Sequence, residues 1–183
     1  DYDYTVPFEI VPDEINSNGY KFIINKNGNN ALTASAQKIN TGSKDSKIAF
    51  LCASLVGDKD AEFVINGREV KAKVNSCFER FARWDLYDFG ETAYIKKGKI
   101  AYEATHCHKN GKDEIAKSMY FYIVEFDVPK NSTVILPNDS DIVILAACSL
   151  HDGKATLAAP VYDEIQNNRP FTFKMSKKEK AEY

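Results

Sequence analysis

The densest chemistry in this sequence is Thr105-His106-Cys107-His108. On a strand, His106 and His108 project from one face and Cys107 from the other. Two imidazoles at that spacing can chelate a transition metal. A third ligand must then come from elsewhere. Asp85 and His151 are available, and the pattern marks neither. The expectation is two histidines that hydrogen-bond at a strand end, with no metal. The second constellation is the segment from Cys77 to Gly90, CFERFARWDLYDFG, which carries the only Trp. Arg83, Trp84, Asp85 and Tyr87 are residue types that bind sugars. An aromatic face stacks on the C–H side of a pyranose, while carboxylate and guanidinium groups engage hydroxyls. The alternative for Trp84 is a core plug closing one end of the fold. Asp58, Asp60, Asp139 and Asp141 lie among turn residues, where Asp is an ordinary turn former. A structural calcium bound in such loops is a chemical option. No carboxylate pair is set out as glycosidic cleavage requires. There is no glycine-rich phosphate loop, nucleophile elbow or Cys–His pair in recognisable context.

The elements that must position these residues are strands. Tyr120, Tyr122, Val124, Phe126 and Val128 alternate with their neighbours at the period of a strand. Pro129-Lys130-Asn131 ends that run, and Val134 to Leu136 is a short strand. Pro137 to Asp141 reads as a polar turn. Ile142 to Leu150 and Ile48 to Val56 are apolar on both faces, as central strands covered on both sides are. Phe63 and Ile65, the turn dipeptide Asn66-Gly67, then Val70, Ala72 and Val74 make a hairpin with Lys71 and Lys73 facing water. Val6 to Pro12 reads as extended, because its prolines forbid helix. Tyr20, Phe22 and Ile24 form a half-buried strand before the turn pair Asn27-Gly28. Ala31 to Ile39 reads as weakly patterned strand, and Thr41 to Ser46 as a loop. The Trp84 segment reads as a structured loop, and Ile100 to His108 as strand. Nine or ten strands at short-loop spacing, without a helical period, predict an all-β fold: an antiparallel β-sandwich of the jelly-roll type.

With 183 residues, the chain suits one domain, placed at residues 1–175, followed by a charged tail at 176–183. A net charge of −2 with both signs interspersed leaves no basic stripe, so nucleic acid is not expected as a partner. No apolar run reaches membrane-spanning length, so no membrane is expected either. The chain lacks an initiating Met and a signal peptide, so it reads as a processed chain or excised module, with a secreted or cell-surface setting favoured. Cys52, Cys77, Cys107 and Cys148 form no CxxC pair and read as buried thiols rather than a disulfide framework.

Several segments, taken in order, resemble the C-terminal β-sandwich region of bacterial α-mannosidase-like glycoside hydrolases and their uncharacterised relatives. Val6 to Pro12 is similar to that family's "IPAELIP"-like opening, with Phe8 departing from its small residue. Asn30-Ala31 with Gln37 resembles "NA…GQ", and Ile48 to Ala53 its "LYLLAA" strand. Trp84-Asp85 is similar to "WD", and His106-Cys107-His108 to "HRH", with Cys107 in place of the basic residue. Tyr120 to Pro129 with Leu136 to Asp139 resembles "YLFKYxLDLP … LPDN", Ile142 to Ala146 resembles "IxIFA", and Pro160 to Asp163 resembles "PLYD". In such enzymes the catalytic metal and acid residues lie in an upstream domain. The resemblance therefore implies a non-catalytic accessory module. The expected partners are a glycan, bound through Arg83, Trp84, Asp85, Tyr87, His106 and His108, and a catalytic domain in the same polypeptide. The alternatives are a purely structural domain that packs on a catalytic domain, and an independent metal-dependent enzyme using His106 and His108.

Overall fold

The structure, a computed structural model, describes residues 4–27, 30–83 and 92–151. Trp84, Asp85, Tyr87, Gly28, the Pro160-to-Asp163 segment and the charged tail fall outside them. Among the described residues every regular element is a strand. A five-stranded antiparallel sheet forms the middle layer. Its order is β11 (Lys99–Ala104), β14 (Met119–Asp127), β6 (Asp45–Ser54), β16 (Asn138–His151) and β4 (Leu32–Ser35). A four-stranded sheet packs on one face: β5 (Lys38–Asn40), β15 (Thr133–Ile135), β7 (Lys59–Ile65) and β8 (Arg68–Val74). The other face is covered by the N-terminal segment and the hairpin β2 (Glu14–Ser17)–β3 (Tyr20–Ile23). A small sheet, β1 (Tyr4–Thr5), β12 (Cys107–Lys109) and β13 (Lys112–Glu114), lies on that side too, its Cys107 reaching the same core. Ala82–Arg83 (β9) and Tyr94–Ile95 (β10) form a separate two-stranded ribbon.

The fold is an antiparallel β-sandwich, as the alternation predicts. Two cores flank the middle sheet, and strand parity sorts residues between them. Ile48, Phe50 and Cys52 of β6 face β7 and β8, and Ala49, Leu51 and Ala53 face the hairpin side. β14 sends Val124 and Phe126 one way and Phe121 and Ile123 the other. The rings of Phe50, Phe63 and Phe126 form the centre of the first core, with centroids 4.8–6.4 Å apart. The β7–β8 hairpin turns at Asn66 and Gly67, both at positive φ (51° and 81°), as a two-residue turn of that sequence requires.

Several local expectations are corrected. Val6 to Pro12 is not extended throughout, because the Ile10 amide donates to the Pro7 carbonyl and closes a turn. Thr41 to Ser46 is not wholly loop, since Asp45 and Ser46 open β6. Ala31 to Ile39 is two strands, broken where Ala36 takes a positive φ of 55°. Pro137 to Asp141 is not a turn: Asn138 to Asp141 begin β16, and Asn138 and Asp139 pair with Ser35 and Ala34 of β4. Acidic residues are tolerated there because Lys59 Nζ bonds the carboxylates of both Asp139 (2.8 Å) and Asp141 (2.5 Å). The cysteines are free thiols, three of them buried. Burial pushes the Cys52 and Cys77 thiols up to about 12, and they pack as small hydrophobes.

Phe63→Ala removes a ring that is fully buried between Phe50 and Phe126. Urea unfolding should show a loss of about 3–5 kcal/mol; a loss under about 1 kcal/mol would mean that this core is not the one that holds the sheets together.

Candidate functional site

Two places gather chemistry. The first is the β9–β10 ribbon, whose short ladder pairs Tyr94 with Arg83 and Ile95 with Ala82. Ala82, Arg83, Ala93, Tyr94 and Ile95 line an open hollow of about 530 Å³. Tyr94 is partly exposed and its hydroxyl donates to the Arg80 carbonyl (3.0 Å), which fixes the ring. Ile95 is 76% exposed.

What holds the ribbon is a charge cluster around a buried lysine. Lys96, the residue after β10, has a side chain only 7% exposed, and its Nζ bonds Asp58 Oδ1 (2.6 Å) and Glu79 Oε2 (2.5 Å). Burial alone would lower the Lys96 ammonium, but the hydrogen bonds to Asp58 and Glu79 outweigh it and hold its pKa above the ordinary value. Burial would likewise raise the Asp58 carboxyl. The bonds from Lys96 and from the Ser76 amide (2.9 Å) overcome that and hold it below the usual carboxylate range. Past Lys96 the chain presses on the sandwich. The Asn75 side-chain amide donates to the Lys97 carbonyl (3.1 Å), and a Cβ added at Gly98 would lie 2.2 Å from that amide nitrogen. The position admits only glycine without a shift of its neighbours.

The second place is the pair of histidines. Strand β12 contains His108 but begins at Cys107, so His106 sits one residue before it. Cys107 is fully buried in the hairpin-side core, and this throws the flanking imidazoles outward. Their ring centroids are 5.5 Å apart. The third group is neither Asp85, which lies outside the described residues, nor His151, whose Nδ1 lies 2.7 Å from Asp45 Oδ1. It is Glu9, carried in by the turn that follows Pro7. Glu9 Oε1 is 3.0 Å from His108 Nε2 and 3.8 Å from His106 Nε2. Asp113, which faces His108 across the β12–β13 hairpin, adds Oδ1 at 3.1 Å from His108 Nε2. Glu9, His106 and His108 can each offer one donor atom to a common point, all within 4.8 Å of one another. Spacing along the chain marked the two histidines. Glu9 lies about a hundred positions away, joined through the pairing of Thr5 with His108, and no local pattern announces it.

Thus, of the residues expected to bind sugar, Arg83 lies on the ribbon while His106 and His108 belong to a separate cluster on the β1–β12–β13 sheet. Three of the four acidic residues considered for calcium converge on lysines instead: Asp139 and Asp141 on Lys59, and Asp58 on Lys96. Residues 1–153 match the family model of the AziU2-like beta-sandwich domain. No curated protein matches the chain.

Because the folded pKa of Asp58 is lowered, its ionisation stabilises the fold above the unfolded carboxyl value, near pH 4. That contribution disappears as pH falls through the lowered folded value. Asp58→Asn should therefore be less stable than the parent at pH 7, and the gap should close on titration towards pH 2, as read by thermal melts. A gap that stays constant over this range would show that the carboxylate is not what holds the ribbon.

Proposed function

The chain belongs to the AziU2-like beta-sandwich domain family, and from that premise we propose that it is a non-catalytic accessory module that binds glycan at the β9–β10 ribbon. The observation that carries this reading is the open, largely apolar hollow in which a fixed, partly exposed Tyr94 ring and Ile95 stand beside Arg83. A ring held at its hydroxyl is a platform on which the C–H face of a pyranose can stack with little ordering cost. A guanidinium beside it can fork to hydroxyls or to a uronic carboxylate. Trp84, Asp85 and Tyr87 directly follow Arg83 in the chain and supply more of the same residue types. The rigidity needed of such a platform comes from beneath, from the Lys96 cluster and the Gly98 contact. In this reading the surface works by shape and stacking, and the reaction belongs to a catalytic domain that the module accompanies.

A purely structural role is favoured by the exposure of Ile95 alone, since an exposed aliphatic residue beside an apolar hollow also suits a packing interface.

The test is a broad glycan array followed by titration calorimetry. Binding should fall in the range of about 0.01–1 mM, because hydroxyls exchange water for protein partners at small net gain. Tyr94→Ala and Trp84→Ala should each weaken it at least about tenfold while the thermal melt keeps its shape. A blank array on folded protein would overturn glycan binding and leave the packing role; binding untouched by both substitutions would move the site away from the ribbon.

A further inference from the structure

The geometry of Glu9, His106 and His108 points to a site for one first-row transition-metal dication, of the zinc class, on the outer face of the β1–β12–β13 sheet. Four observations carry it. First, the donor set is two imidazoles and a carboxylate, which suits zinc and its neighbours rather than calcium, whose ligands are oxygens. Secondly, the spacing is that of atoms around a shared ion. Donors about 2.0–2.2 Å from one cation lie roughly 2.9–3.5 Å from each other at octahedral to tetrahedral angles. His108 Nε2 stands 3.0 Å from Glu9 Oε1, within that range. The longer separation, 3.8 Å from Glu9 to His106 Nε2, closes by rotation of the exposed Glu9 side chain.

Thirdly, the His108 nitrogen is left without a hydrogen bond. His108 Nε2 is buried and has no hydrogen-bond partner among the described residues, although two carboxylate oxygens lie within 3.1 Å of it. Neither oxygen is where a ring N–H would reach it. Two anionic oxygens that close to a ring nitrogen call for positive charge there, and a bound cation supplies it while engaging the nitrogen. Fourthly, the ring next door is arranged for the same role. His106 Nδ1 lies 3.4 Å from Thr105 Oγ1, a partner that can hold the proton on Nδ1 and leave the Nε2 lone pair free. Cys107 anchors both histidines, since its thiol is locked in the core between them.

Three protein donors leave one coordination position for water. The ion ties the turn carrying Glu9 to strand β12, and the Asp113 carboxylate beside His108 adds negative charge next to it.

The test uses the full chain stripped with chelator and titrated with zinc chloride by calorimetry, with cobalt(II) absorption as a second readout. One equivalent should bind. His108→Ala should abolish binding, and Glu9→Gln should weaken it at least about tenfold, the size that loss of a supporting group alone produces at metal sites. His151→Ala, which removes the only other histidine, should leave it unchanged. Circular dichroism of the metal-free variants checks folding. Should His108→Ala fail to fold, Glu9→Gln decides, because Glu9 is exposed on a turn. No stoichiometric binding, binding that survives Glu9→Gln unweakened, or binding lost in His151→Ala would overturn the site.

Discussion

Strand β6 has no face for water. From Ile48 to Ser54 every residue is buried. Such a strand is stable only if both of its faces are covered and both of its edges are paired. β14 and β16 supply the edges. The four-stranded sheet covers one face, and the N-terminal hairpin with Cys77 and Cys107 covers the other. Nearly everything else follows. The two short hairpins on the N-terminal side are too small to stand by themselves; they exist as the lid over Ala49, Leu51 and Ala53. The histidine cluster is positioned by that lid, and the β9–β10 ribbon is held to the body by Lys96 and Asn75.

The constraint also explains the irregularity of β16. It pairs with β6 along nearly its whole length, but the register shifts between Ile144 and Ala146. Before the shift, Ile142 and Ile144 face the β7–β8 side. After it, Ala146, Cys148 and Leu150 face the hairpin side. A bulge adds one residue and reverses parity. An apolar run that looks uniform in the sequence is thus divided between two cores.

This division marks what could and could not be read from residue types. Strand β6 was legible because a run apolar on both faces belongs to a central strand, and β14 because its residues alternate at the period of a strand. The β7–β8 hairpin was legible, because Asn66-Gly67 accepts positive φ and Lys71 and Lys73 alternate outward. The start of β16 was not. Asn138-Asp139-Ser140-Asp141 has turn composition, and what permits a strand is Lys59, some eighty positions earlier. Glu9 was missed for the same reason: its meeting with His108 depends on β1 joining β12, a contact between the ends of a long loop. The pairing of His106 with His108 was visible because a period of two is local. Charges that find partners at a distance leave no local trace.

The outermost strands bear on how these molecules behave in a crowd. A sheet that ends in a long, flat, unpaired strand invites the next molecule to continue it. None of the four boundaries here does so. β4 and β5 are four and three residues long. β11 is kinked by a register shift between Ile100 and Tyr102. β8, the longest, carries Arg68, Glu69, Lys71 and Lys73 exposed along it. Each boundary resists templating by a different means: brevity, curvature or charge. Among the described strands, a core built almost wholly of β-forming residues is thus bounded by edges that disfavour continuation by a neighbouring copy.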